Sequence, residues 1–363
     1  MSKYLKSILL ISVVPLDVNG ISSVITNIVN SLKNENVKIG IASYEINEVV
    51  EDKILQLKPD CELYRIGKRR TSLSYIKIIA SIIKKNKYDI VHIHGNSCSM
   101  IIELLAAYFG KAKIRITHSH NTTCSHPIID KLLRPVFYRL LTDRVACGFE
   151  AGRWLYGKKD FKILNNAIDT ELFRFSSENR KRTRSVLGLN NETVLLGHVG
   201  KFNAQKNHKR LLEIVVSLLK ENYKLLLLGT GPLWDEVKKQ AVDLGIIDNV
   251  IFAGDVDNVY SYLSAIDIIL MPSIFEGLPL SVVEEQANGL NCILSDSITK
   301  DVDLTGNVRF LDNQDLKGWV ETVYSFSKYQ DRTLNSDIAI KNIIKSGFDI
   351  SSLSKRVKEL YKL

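Results

Sequence analysis

The segment IDIILMPSIFEGLPLSVVEEQANG, residues 266–289, changes character twice. Its opening IDIILMPS is an apolar run, as expected of a strand buried on both faces in a helix-covered parallel sheet. A loop, IFEGLPL, follows, with Gly277 and Pro279 as its turn residues. SVVEEQANG then reads as a helix stopped by Gly289. This places Glu276 just past the carboxyl end of a strand and Glu284 about one turn into the next helix.

The same alternation extends outward from this segment. On the carboxyl side it continues with LNCILSD (290–296), and upstream with VLLGHVG (194–200), HKRLLEIVVSLLKEN (208–222), YKLLLLGTG (223–231), LWDEVKKQAVDLG (233–245) and NVIFAGD (249–255). The first half repeats it: SILLISVV (7–14), SSVITNIVNSLKNE (22–35), VKIGIASY (37–44), SLSYIKIIASIIKKN (72–86), YDIVHIHG (88–95), SMIIELLAAYFG (99–110) and AKIRITHSH (112–120). Strand and helix in turn predict crossovers onto a parallel sheet with helices on both faces, here twice over. We therefore expect an α/β chain of two doubly wound, Rossmann-like domains, residues 1–174 and 175–348. The stretch KILNNAIDTELFRFSSENRKRTRSVLG (162–188) reads as a connection plus a short basic helix. The final helix, 349–363, has apolar Leu353, Val357, Leu360 and Tyr361 on one side and is expected to pack back on the body. Ligands of open α/β sheets bind beyond the carboxyl ends of the strands, so a cleft between two such domains is where chemistry is expected.

Composition removes other classes. At 363 residues, 45% apolar and 25% charged, the chain is too long for one ordinary core and too apolar for disorder. The first apolar run is too short to span a bilayer and reads as a buried strand. Five scattered cysteines without C-x-x-C spacing indicate neither a disulfide framework nor a zinc knuckle, and fit a reducing cytoplasm. Residues 1–174 carry 26 Lys and Arg against 16 Asp and Glu, while residues 175–363 are nearly balanced at 23 against 24. A basic first half suits an anionic partner, a membrane surface or a nucleic acid, or is only a soluble face.

In LLGHVGKFNAQKNHKRLLEIV a strand ends at Gly200, and Lys201 and Lys206 bracket a polar loop before a helix. Two ammonium groups and a glycine near a helix start suit a phosphate, although lysines on a surface loop read the same way. Gly229 and Gly231 end another strand, as a tight turn or as room for a ligand. Glu276 and Glu284 flank a helix start whose amides favour an anion, an arrangement suited to the hydroxyls of a sugar or ribose on either side of it.

Together these motifs resemble the GT4 family of retaining glycosyltransferases with the GT-B fold, especially bacterial capsular and exopolysaccharide enzymes. The resemblance covers nearly the whole chain and rests on MPSIFEGLPLSVVEEQANG with VGKFNAQKNHKRLLE some 75 residues upstream. It implies that residues 1–174 bind the acceptor and residues 175–348 a nucleotide sugar, UDP-linked. By the same resemblance Glu276 contacts the donor sugar, Glu284 holds the ribose, and Lys201 and Lys206 bind the diphosphate. Backbone groups of Gly277, Leu278, Pro279 and Leu280 would hold sugar and phosphate oxygens, with Gly200, Gly229 and Gly231 nearby. The base is expected by Ala253, Gly254 and Val256. Two departures stand out: Lys201 replaces the arginine often found there, giving a point charge for a bidentate fork, and Gly20 stands alone where the family's early loop has a glycine pair. The resemblance also implies a polyprenyl-diphosphate-linked oligosaccharide as acceptor, and a cytoplasmic enzyme held at the inner face of the plasma membrane.

His92-x-His94 and His118-x-His120 each put two imidazoles on one face of a strand. Four histidines could hold zinc, which makes a zinc hydrolase a rival reading. By resemblance His118 reaches the donor sugar near its anomeric carbon, and His120 is the candidate on the acceptor side. A non-hydrolysing sugar-nucleotide epimerase is a second rival, without acid and base residues that can be placed. DVD at 255–257 and at 301–303 reads as surface turns, so no metal cofactor is expected. In GKRRTSLSYIKIIASIIKKNK (67–87), Leu73, Ile76, Ile79 and Ile83 follow helical spacing beneath Lys77, Lys84, Lys85 and Lys87. As an amphipathic helix with a solvated face this needs no partner; in a transferase with a polyprenyl-linked acceptor the same surface suits an anionic membrane, and the lack of interleaved aromatics argues against nucleic acid.

Overall fold

The computed structural model describes residues 6–17, 20–67, 73–121, 124, 126–218, 222–276, 278–327 and 331–363. The chain divides into two units: residues 1–167 with 350–363, and residues 168–349.

The first unit is built on seven parallel strands: β1 (Lys6–Ser12), β2 (Val37–Ser43), β3 (Glu62–Arg65), β4 (Ile90–Gly95), β5 (Ile114–Ser119), β6 (Asp143–Ala146) and β7 (Lys162–Ile163), in the order β3-β2-β1-β4-β5-β6-β7. Helices cover both faces, which is why strands such as ILLI in β1 alternate between two cores and bury every side chain. The winding reverses between β1 and β4. The helix Ile350–Tyr361 belongs to this unit: Leu353, Val357, Leu360 and Tyr361 are buried there, and Ser354 Oγ donates to Ser31 O at 2.9 Å.

The second unit has six parallel strands: β8 (Val194–Val199), β9 (Tyr223–Leu228), β10 (Val250–Gly254), β11 (Ile268–Met271), β12 (Asn291–Ser295) and β13 (Val308–Leu311), in the order β10-β9-β8-β11-β12-β13. Its winding reverses between β8 and β11.

The division falls after Ala167, so the segment that reads as a connection is split: residues 162–167 belong to the first unit and residues 168–188, with their basic helix, to the second. Its helix, Ser177–Val186, turns two arginines inward. Arg180 Nη2 and Arg184 Nη1 reach the two carboxylate oxygens of Asp267 at 2.6 and 3.2 Å, and Arg184 also donates to Thr193 O at 2.6 Å. A composition rich in Arg suggests a solvated linker. Here the charges are paired beneath β11, which joins that helix to the sheet.

Candidate functional site

In an open α/β sheet the two strands at the reversal point diverge beyond their carboxyl ends and leave a crevice between their loops. In the second unit those strands are β8 and β11, and their loops carry Lys206 and Glu276. Lys206 Nζ lies 2.8 Å from Glu276 Oε1, and both side chains are 14% exposed. That oxygen has no hydrogen-bond partner of good geometry, so the contact is an ion pair without an aligned hydrogen bond.

Local structure fixes both partners. Asn203 Oδ1 accepts from Lys206 N at 3.1 Å, closing a 3-10 turn over Ala204–Lys206. Asn207 adopts the left-handed conformation at φ 53°, which asparagine tolerates better than most residues. Its Nδ2 donates to Pro272 O at 3.1 Å, while Ile274 N donates to Gln205 O at 2.8 Å and Gln205 Nε2 to Phe275 O at 3.0 Å. These bonds latch the β8 loop to the β11 loop. Glu276 itself forms a parallel bridge with Ile298.

The glycines serve the same loop. A Cβ on Gly229, at φ 117°, would stand 2.4 Å from Gly200 O, and one on Gly231 would stand 2.5 Å from Phe202 O. The chain's own backbone fills the space that the sequence reading left open for a ligand. Gly200 gives room to the Lys206 stem, whose Cε would be 3.0 Å from a Cβ there. Lys201 is exposed beside it.

Beyond the β11 loop the helix Leu280–Ala287 begins after Pro279, whose side chain makes no capping bond, and Val282 N donates to Pro279 O at 3.1 Å, so the amides of Leu280 and Ser281 are the ones placed for an anion. Leu278 and Leu280 pack partly into the core, and Glu284 is half-buried. Gly277 lies outside the described residues. Gln286 anchors the helix, donating to Val302 O at 2.7 Å and accepting from Leu304 N at 3.0 Å. Ala253, Gly254 and Val256 lie half-buried at the end of β10 and in the loop after it, where Gly254 O accepts from Gly229 N at 2.8 Å. Asp255 accepts from Thr230 Oγ1 at 2.6 Å, and Asp303 accepts from Gly306 N at 2.7 Å, so both DVD segments are engaged in turns.

Glu285 escaped the sequence reading. It is wholly buried, neither carboxylate oxygen has a hydrogen-bond partner, and burial, then the charge of Glu284, pushes its carboxyl well above the usual carboxylate range. The helical wheel carries the signal: Glu285 shares the inward side with Val282 and Gln286, about 100° around from Glu284.

In the first unit the four histidines do meet. His94 pairs in register with His118, and the rings of His92, His94, His118 and His120 form a stack with contacting centroids 4.1–5.3 Å apart. His92 Nδ1 lies 2.7 Å from Tyr361 Oη, and His94 Nδ1 lies 3.1 Å from His120 Nε2. Burial drives His92 and His120 down to about 3 and holds His94 and His118 well below the usual imidazole value. The stack is therefore neutral. Ligand atoms of His92, His94 and His118 all lie within 4.8 Å of one another, so the zinc reading finds its three-histidine cluster here. His118 is fully enclosed within β5, whereas His120 stands just past the strand and is half-buried. Gly20, the first residue of the helix Gly20–Ser31, has nothing within 4 Å of where a Cβ would stand.

Comparison with known proteins adds the family. The description "Glycosyltransferase Family 4" matches residues 18–172, and "Glycosyl transferases group 1" matches residues 179–308. EpsF of Bacillus subtilis (strain 168) is 35% identical over 207 residues, 53% of this chain and 54% of EpsF, so the chain matches about half the length of that relative. The UDP-Gal:alpha-D-GlcNAc-diphosphoundecaprenol alpha-1,3-galactosyltransferase of Escherichia coli is 23% identical over 322 residues, covering 80% of this chain and 81% of that one. Among solved structures, HepE of Anabaena in complex with UDP superposes with a TM-score of 0.78 at 16% identity, over 99% of this chain and all of the other, a likeness of fold.

Proposed function

Because the chain belongs to the glycosyltransferases, a family 4 domain followed by a group 1 domain, we propose that it moves a hexose or N-acetylhexosamine from a nucleotide sugar to an acceptor, with retention at the anomeric carbon. The single observation that carries this reading is the Lys206–Glu276 ion pair at the reversal point of the second sheet. UDP is the expected nucleotide. Support comes from HepE, described in complex with UDP-glucose, and from the Escherichia coli relative, named for a UDP-sugar donor and a diphosphoundecaprenol acceptor.

The chemistry follows from charge. Breaking the bond between sugar and diphosphate leaves positive character on the anomeric carbon and negative charge on the departing phosphate, so catalysis depends on donors already aimed at that phosphate. Lys206, Lys201 and the uncapped amides of the helix Leu280–Ala287 supply them, and no metal is required. Lys206 is held by Glu276. An arriving diphosphate competes for the ammonium and frees Glu276 to accept hydrogen bonds from the sugar, while Glu284 takes the ribose. Recognition of phosphate thus prepares recognition of sugar. Leaving-group oxygen can take the acceptor's proton, so neither glutamate need attack.

On the first unit His120, a neutral imidazole whose Nε2 is engaged by His94, faces the acceptor side. A lipid-linked oligosaccharide is the proposed acceptor, with the protein peripheral to an anionic membrane. A panel of nucleotide sugars, assayed for nucleotide release with and without acceptor, tests the reading: Glu276→Ala should abolish release from the preferred donor, and undiminished release would overturn it.

A further inference from the structure

The helix Pro127–Leu140 exposes four of its aliphatic side chains along one side. In the helix Leu73–Asn86 the residues Tyr75, Ile79 and Ile83 are buried, and Lys77, Lys84 and Lys85 face water. That is a solvated helix, although Leu73 sits outside rather than on the expected inward stripe and Ile78 is exposed as well. In Pro127–Leu140, by contrast, Ile128 is 76% exposed and Leu132 73%, with Ile129 and Val136 also exposed. At about 100° per residue these four fall within an arc of about 100°, a continuous stripe along a rod about 21 Å long. Phe137, wholly buried, fixes the opposite side.

The charges around the stripe point one way. Lys131 is exposed on its border and Arg139 lies within it near the helix end. The helix has one carboxylate, Asp130, which is buried and engaged, accepting from Cys98 N at 2.7 Å and from Arg134 Nε at 3.0 Å. Beside it lies a cavity of about 330 Å³ with Asp130, Lys131, Arg134 and Trp154 on its wall, where Asp130 pairs with Arg134 and Lys131 is left as the unmatched charge. A second copy of the chain would set Lys131 and Arg139 against like charges with no exposed carboxylate on this helix to meet them. An apolar stripe bordered only by cations matches the surface of an anionic bilayer, with the stripe among the acyl chains and the cations at the phosphates.

We propose that Pro127–Leu140 lies in the plane of an anionic membrane and is the docking face of this protein, in place of the lysine-bearing helix that the sequence suggests. The proposal gives a location to the membrane contact in the reading above, and rests on that reading only for its purpose. Full-length protein would be sedimented with vesicles of phosphatidylcholine alone and of phosphatidylcholine with one-third phosphatidylglycerol. Wild type should partition onto the anionic vesicles. The double variant Ile128→Ser, Leu132→Ser should lose at least about tenfold in partitioning, as removal of two buried aliphatic groups requires, and Lys77→Gln with Lys84→Gln should lose less than about threefold by comparison. Failure of wild type to bind anionic vesicles would overturn the proposal. So would equal binding by the double variant, or a wild-type dimer in light scattering that the double variant dissolves. Affinity for UDP, titrated without vesicles, should be the same in wild type and double variant. Absence of UDP binding in both would count against the donor reading and leave the docking face standing.

Discussion

In the second sheet, the strands at the reversal point, β8 and β11, deliver Lys206 and Glu276 beyond their ends into latched loops, where each keeps some contact with water. In the first sheet, β4 and β5 hold His92, His94 and His118 inside the strands, wholly enclosed. Similar windings therefore treat polar groups in opposite ways. Past the strand end a charged group keeps access to water and can trade its partner for a ligand. Within the strand an ionisable group survives only as its neutral form. The first arrangement suits binding and the second suits a fixed framework, with His120 at its rim.

Acid should break this contrast most strongly. The three enclosed imidazoles sit below the ordinary histidine value of about 6.5. The unfolded chain therefore binds more protons than the folded one as pH falls beneath that value, and stability declines. By pH 5 the loss from His92, whose value falls to about 3, is about 2 kcal/mol, and His94 and His118 add to it in the same direction. Thermal unfolding followed between pH 8 and 5 should show a plateau above about pH 7 and a steep fall below it. Replacing His94 and His118 by apolar residues of similar size should make that fall shallower, leaving the share of His92, His120, His198 and His208.

Lys206→Ala comes next, with an expected loss in kcat/KM for the donor of about 10²- to 10³-fold, the cost of removing one preorganised donor from a phosphate site. Steady-state kinetics check it, and Lys206→Arg should recover part of the loss. A third, smaller effect separates framework from ligand contact within the loops. Gly229→Ala should cost about 2–3 kcal/mol, because it combines positive φ with a clash against Gly200 O. Denaturant unfolding should register that cost in the protein without any donor present.

The smallest change sharpens the contrast inside one helix. Glu285 has a raised carboxyl value, so the folded state holds a proton that the unfolded chain releases above the usual carboxylate range, and stability declines as pH rises from there. Glu285→Leu should raise stability by about 1–2 kcal/mol at pH 7 and by little at pH 4. Melting temperatures at the two pH values measure the difference, and a simultaneous loss of UDP affinity would assign Glu285 a part in the site.

Much of this was legible in the sequence because hydrophobic period reports burial directly. The strand-then-helix alternation marks both sheets, and Glu276, Lys201 and Lys206 stand out because charged residues after apolar runs lie at strand ends. Residues 121–161 gave no such signal. The helix Pro127–Leu140 points its apolar stripe outward and carries Pro135 in its interior, so neither its period nor its composition marks it as part of a core. The Ser177–Val186 helix was obscured for the converse reason, because its arginines are satisfied inside by Asp267. His118 and His120 share a face at period two, and only the point where β5 stops distinguishes them. Gly229 and Gly231 could not be read from sequence because the backbone they accommodate lies about 30 residues away along the chain.

The most direct test concerns the exchange of Lys206 between Glu276 and the diphosphate. UDP and UDP-glucose would be titrated calorimetrically into wild type and Glu276→Gln. A half-buried ion pair contributes on the order of 1 kcal/mol, so the variant should bind UDP about threefold to tenfold more tightly, having no pair to break, while losing any gain in affinity that the glucose supplies. Weaker UDP binding by Glu276→Gln, or an unchanged difference between UDP and UDP-glucose, would contradict the account.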